Sequence, residues 1–148
     1  MLVNPRTGPT KGGVVLLPKR FAIDKAVLHS AQGIANTGFA VSVPELSKHP
    51  VDIDNVTLDE IVNGVHTAKQ AARELRKTLG GGKKIGAVGA WLAGTLALLA
   101  SDEEFDASVV VCPFVRLPVA DDVIIRQPLD VVPKARAPVL AVFGELDS

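Results

Sequence analysis

One cysteine, Cys112, occurs in 148 residues. A lone thiol excludes an internal disulfide framework and a cysteine-rich zinc site, and it suits a reducing compartment, the cytoplasm or an organelle interior, rather than secretion. An excess of either charge is also missing, since sixteen basic residues balance sixteen acidic ones. No global field draws in nucleic acid or an anionic membrane, and neither is expected as a partner. No stretch approaches the roughly 20 apolar residues a membrane span needs, and the opening MLVNPRTGPTKGG has no apolar leader core. The three histidines, His29, His49 and His66, lie far apart, and none stands at metal-ligand spacing from another histidine or a carboxylate. His29 and His66 fall on predicted helices away from the strand ends, as surface residues do. No metal and no cofactor are expected.

Against these absences stands a hydrophobic content of 47%, enough for one core and one domain over residues 1–148. The apolar residues come in short runs: Gly13 to Leu17, Phe39 to Val43, Ile85 to Val88, Ser108 to Cys112 and Val139 to Phe143. These runs lack period-two alternation, as strands buried on both faces of a parallel sheet do. Amphipathic stretches separate them. Asp24 caps a predicted helix with Val27, Leu28, Ala31, Ile34 and Ala35 on one face and Gly38 as its stop. Thr57 and Glu60 fit a capping box ahead of a long stripe, Leu58, Ile61, Val62, Val65, Ala72, Leu75 and Leu79, which ends at Gly80-Gly81-Gly82. A third helix runs from near Trp91 through Leu99, and the span from Pro113 to Pro138 is the loosest part.

The pattern predicts an α/β fold, doubly wound, with a mainly parallel sheet of about five to six strands. Its spatial order should be 2-1-3-4-5, which puts a switch-point crevice beside Pro18 to Asp24 and Gly89 to Gly94. Lys19, Arg20, Gly89 and Leu92 are therefore candidate binding residues. LGGGKK does not fit a phosphate loop, since it precedes a strand and no Ser or Thr follows its lysines. GAVGAWLAG does not fit G-x-G-x-x-G.

Gly89-Ala90-Trp91-Leu92-Ala93-Gly94 sits where a strand feeds a helix. In a G-x-S-x-G nucleophile elbow, small residues permit a tight turn that lifts the nucleophile above the sheet, with helix N–H groups nearby for an oxyanion. Here the small residues remain and the apex is Trp91. A bulky residue at positive φ is strained, so the turn is expected to have relaxed, with the indole filling the crevice.

In this setting the chain resembles the dienelactone hydrolase family of α/β-hydrolases, which reads V-G-[YFW]-C/S-x-G-G at the elbow. GGVVLLPKRFAID is similar to its first central strand and oxyanion loop, TGFAVSVPEL to its G-[YF]-x-[AV]-x-x-P-D-L segment, and APVLAVFGELD to its P-x-L-x-x-x-G-x-x-D. The resemblance implies a truncated α/β-hydrolase fold, with Trp91 at the nucleophile position, Lys19 where a glutamate is frequent, and Asp147 matching the triad acid. The family's histidine lies some tens of residues beyond that acid, so it and the C-terminal elements are expected to be missing.

Triad chemistry needs an oxygen or sulfur nucleophile within reach of a base. The expectation is therefore a catalytically inactive member acting as a structural or interaction subunit, with Trp91 as a packing or interface residue and Asp147 vestigial. Its last strand, an uncovered apolar edge, would be met by a protein partner or by another copy. Two alternatives stay open. One is a hydrolase of small esters or lactones, completed by residues beyond this sequence or by another subunit, with Cys112 as a substitute thiol. The other is a small-molecule binding protein for an ester, lactone or carboxylate.

Overall fold

The computed structural model describes residues 1–101, 104–117 and 127–144. Its elements in chain order are β1 (Leu2–Val3), β2 (Gly12–Leu16), α1 (Lys25–Asn36), β3 (Phe39–Ser42), α2 (Leu58–Leu79), β4 (Ile85–Ala90), α3 (Leu92–Leu99), β5 (Ala107–Val111), α4 (Pro128–Val131) and β6 (Val139–Val142). A short 3-10 turn, Val132–Lys134, follows α4. The sheet order is β1-β3-β2-β4-β5-β6, with β1 antiparallel to β3 and every other pairing parallel. Without β1 this is the order expected from the alternation of runs and helices. Two residues carry too little pattern to announce β1. It is held by the Met1 ammonium and the Val43 N–H, each of which donates to the other residue's carbonyl, at 2.8 and 2.7 Å.

The helix boundaries follow from local chemistry. Asp24 accepts from the Val27 N–H at 2.8 Å and starts α1. Thr57 and Glu60 form the reciprocal capping box that starts α2, and Gly80 at φ 60° ends it. The buried line of α2 is Ile61, Gly64, Ala68, Ala71, Ala72 and Leu75. These small residues bring the helix close to its neighbours; a Cβ on Gly64 would stand 2.7 Å from Leu96 Cδ1. Val62, assigned to the stripe from sequence, is instead exposed. It sits about 100° around the helix from Ile61, past the edge of that narrow contact line. Leu28 of α1 is likewise exposed.

The main core lies on the α2–α3 face of the sheet around Val15, Leu17, Phe21, Ile85, Leu96 and Val110. A smaller core lies under α1, built on Leu16, Ala31, Ala35, Val41 and Val43. This second face is only half covered. Val88 pairs in register with Val109, Val109 with Leu140, and Val111 with Val142. Val139 packs into the α2–α3 core, so by strand alternation Leu140 and Val142 point to the α1 side. There Leu140 is 59% and Val142 45% exposed. Among the described residues, α1 rests on β3 and β1, and no helix covers β5 and β6 on that face.

The N-terminal end of the strands is closed by Asp106. Its carboxylate accepts from the Ile85 N–H at 2.8 Å, from Lys84 at 3.0 Å and from Arg76 at 3.2 Å. Arg76 also donates to the Glu104 carbonyl at 2.7 Å. Partial burial pushes the Asp106 carboxyl up, but hydrogen bonds from the Ile85 N–H, Lys84 and Arg76 outweigh it and hold it below the ordinary aspartate range.

Candidate functional site at the switch point

The opposite end of the sheet carries the elbow. β4 ends at Ala90, α3 begins at Leu92, and Trp91 between them has φ 56° and ψ −126°. The expected relaxation has not occurred. The reason is that the turn is fastened on both sides. The Trp91 N–H donates to the Val111 carbonyl at 2.9 Å, and the Trp91 carbonyl accepts from the Thr95 N–H at 3.0 Å. Beneath it α3 presses on β4 so closely that a Cβ on Gly89 would stand 2.4 Å from the Ala93 oxygen. Untwisting residue 91 would break these contacts, so the backbone keeps a conformation that costs a side-chain-bearing residue on the order of 1–3 kcal/mol.

The indole does not fill the crevice either. It is 49% exposed, with the Lys19 ammonium 4.3 Å from its centroid and the Phe114 ring edge-on at 6.2 Å and 68°. Such contacts contribute about 0.5–1 kcal/mol for an exposed cation–π pair and about 0.5–1.5 kcal/mol for an aromatic pair, offsetting part of the strain. Trp91 thereby becomes one wall of a cavity of about 420 Å³, lined also by Lys19, Arg20, Asp52, Asp54 and Phe114, with Leu92 among its apolar lining.

The facing wall is the loop after β2. Leu17 donates to the Val88 carbonyl at 2.9 Å, and a turn closes from the Phe21 N–H to the Pro18 carbonyl at 2.9 Å. Phe21 is fully buried at φ 67°, and its carbonyl accepts from the Leu46 and Ser47 N–H groups, both at 3.1 Å. Arg20 is tied twice, through its carbonyl to the Val51 N–H at 2.9 Å and through its guanidinium to Asp52. This leaves Lys19 at the tip of a pinned turn, aimed over the indole.

Of the candidate residues, Lys19, Arg20, Trp91 and Leu92 meet around this cavity, while Gly89 shapes the turn below it. Cys112 stands just after β5 at φ 46°, partly buried, its N–H bonded to the Val142 carbonyl at 2.7 Å, and it is not among the residues lining the cavity. Asp147 lies outside the described residues. His29, His49 and His66 are all exposed. Among the described residues no cluster of three His, Cys, Asp or Glu side chains could hold a metal ion, and no helix is long and apolar enough to cross a membrane.

Thr95 is the site residue that sequence reasoning missed. It is fully buried; its hydroxyl donates to the Phe114 carbonyl at 3.0 Å and accepts from the Phe114 N–H at 2.9 Å. It thus fastens the aromatic partner of Trp91 to the elbow helix. Inside the apolar run LAGTLALL it reads as helix filler. What the assembled site can do follows from its donors. The first-turn N–H groups of α3 have no intrahelical acceptor, and Trp91 supplies no side-chain cap. Indole offers one N–H donor and no nucleophile. The arrangement can hold a ligand but offers nothing at the apex that attacks one.

The sequence matches the dienelactone hydrolase family over residues 1–148, and the chain belongs to that family. None of the curated proteins compared with it matches. Among solved structures it is similar to a candidate dienelactone hydrolase of Klebsiella pneumoniae subsp. pneumoniae MGH 78578, at 14% identity and a TM-score of 0.75 over 95% of this chain and 64% of that one. A Pyrococcus horikoshii acylaminoacyl peptidase matches at 13% identity and a TM-score of 0.71, over 96% of this chain and 29% of that one. A dienelactone hydrolase-like promiscuous phosphotriesterase from metagenomic libraries matches at 16% and 0.60, over 93% of this chain and 71% of that one. At such identities the likeness is one of fold. The chain spans less than two thirds of the Klebsiella protein's length.

Proposed function

We propose that this chain is a non-catalytic member of the dienelactone hydrolase family that works by binding, as a structural or interaction subunit. The observation that carries the reading is Trp91 standing at the apex of an intact elbow, at φ 56°. The turn that would present a nucleophile is kept, strain included, while the side chain it presents cannot form an acyl-enzyme. The test is turnover of small esters and lactones by the purified protein. The expected result is no saturable hydrolysis above buffer, and the same background for Trp91→Ala. Saturable turnover above the buffer background would refute the reading, whether or not it survives in that variant.

A second observation favours the interaction side of the proposal. Val109, Val111, Leu140 and Val142 continue the apolar rows that α1 buries, and sheets of parallel strands are stable with both faces covered. A protein partner or a second copy over this half-sheet would complete it. Native mass spectrometry is expected to give an assembly rather than a monomer, and Leu140→Lys to dissociate it; a monomeric native mass at working concentration would count against it.

A further inference from the structure

The cavity between the loop after β2 and the head of α3 has a lining whose chemistry specifies a ligand. We propose that it binds a small organic monoanion with a flat apolar body, an aromatic carboxylate, and holds it against Trp91 without turning it over. This rests on the non-catalytic reading, in which binding is what the crevice does.

The charge argument comes first. Two cations and two carboxylates line the cavity: Lys19, Arg20, Asp52 and Asp54. Arg20 and Asp52 are paired with each other. Lys19 has no carboxylate within ion-pair distance among the described residues, and its ammonium is spent on the indole face at 4.3 Å. A cation–π contact satisfies an ammonium less fully than a carboxylate does, because it leaves N–H donors on the ammonium that can meet an acceptor. Lys19 is thus the place for an anionic group. Asp54 on the same lining disfavours a second negative charge, which limits the ligand to a monoanion.

The body of the ligand follows from where that lysine is held. An anion that meets Lys19 Nζ is brought directly against the ring, because the ammonium already stands over it. Trp91 keeps 49% of its surface exposed although its backbone is pinned and Phe114 props its ring. A pre-set, half-bare indole offers the cavity an apolar aromatic wall, which a flat partner can lie against beside Lys19 and which loses little conformational freedom on binding. Leu92, Val51 and Ile53 add apolar lining. At about 420 Å³ the space falls within the range of small-ligand sites, roughly 300–1,000 Å³.

Trp91 is the sole tryptophan and the chain has no tyrosine, so intrinsic fluorescence reports this site alone. The experiment titrates the full chain with benzoate, with benzyl alcohol as the neutral counterpart and with cyclohexanecarboxylate as the non-planar anion, and confirms affinities by calorimetry. Benzoate is expected to change the Trp91 emission saturably and to bind at least about tenfold more tightly than either control, the ratio that 1.4 kcal/mol gives. Lys19→Met should remove that preference for benzoate over benzyl alcohol, and Lys19→Arg should restore most of it. Equal affinities for the three probes, or no saturable response to benzoate at about 10 mM, ten times a millimolar Kd, would overturn the proposal in the unmodified protein, independently of whether any variant folds. Ester turnover is read separately, so benzoate can fail to bind while the non-catalytic reading stands, and turnover can appear while benzoate still binds.

Discussion

The two ends of the sheet solve the same backbone problem in opposite ways. At the end where the strands begin, positive φ falls to glycine: Gly38 at 103°, then Gly80, Gly81 and Gly82 at 60°, 56° and 72°. At the end where the strands finish, it falls to residues with side chains. Phe21, Trp91 and Cys112, at 67°, 56° and 46°, each follow the close of β2, β4 or β5. Gly81 and Trp91 share the same φ, yet the first carries no strain and the second carries a large ring. The charges differ in the same sense. Asp106 is met by a backbone N–H, a lysine and an arginine, while Lys19 at the other end has a ring for company. One end is built for closure. The other keeps bulky or polar side chains at positive φ and a lysine whose company among the described residues is a ring, groups that a stability argument alone would have removed.

The comparison can be pressed hardest at Gly89. Gly89→Ala would drive a Cβ to 2.4 Å from the Ala93 oxygen, and a loss of about 3 kcal/mol in urea unfolding is expected, because backbone on both sides cannot yield. Next is Asp106→Asn, expected to cost about 2 kcal/mol at neutral pH through weakened charge-assisted bonds to Lys84 and Arg76. The sign with pH follows from the depressed carboxyl. Its stabilisation is present above the unfolded aspartate value and is lost as pH falls through the lower folded value, so the gap between wild type and variant should close below about pH 4. A constant gap down to acid denaturation would contradict the assignment.

Thr95→Val should cost about 1–2 kcal/mol by stranding the Phe114 N–H and carbonyl, and it should shift the Trp91 emission, which Asp106→Asn should leave alone. Gly81→Ala, with open space around its added Cβ, isolates the backbone cost of positive φ, about 1 kcal/mol. The smallest effect is expected for Trp91→Gly. Relief of strain offsets the lost contacts with Lys19 and Phe114, leaving stability within about 1 kcal/mol of wild type. A loss of about 3 kcal/mol or more, as for an ordinary core tryptophan, would show that residue 91 belongs to the packing and erase the contrast with Gly81.

Much of the scaffold was legible because it rests on local signals. The five apolar runs, the Thr57–Glu60 box and the Gly80 stop were enough to order the parallel strands. The short pieces were not: Leu2–Val3, and Pro128–Val131 within the span read as loose, are too brief for a period to show. At the site, the sequence located the elbow and the facing loop, and brought Lys19, Arg20, Trp91 and Leu92 together. It missed how the elbow behaves. Whether a tryptophan relaxes there depends on Val111, Thr95 and the Gly89–Ala93 contact, which are tertiary facts. For the same reason Thr95 and Phe114, nineteen residues apart, could not be seen as one unit.

The most direct measurement is steady-state hydrolysis of an activated acetate ester, followed with intact-protein mass spectrometry under the same conditions. With a ring at the elbow apex, the rate should rise at most linearly with substrate and with protein, as surface side chains give, and no single-site acetyl adduct should build up and turn over. Saturable turnover through an acetyl adduct that forms and decays at one site would contradict the account, because it would show that the chain carries a working nucleophile despite Trp91 at the apex.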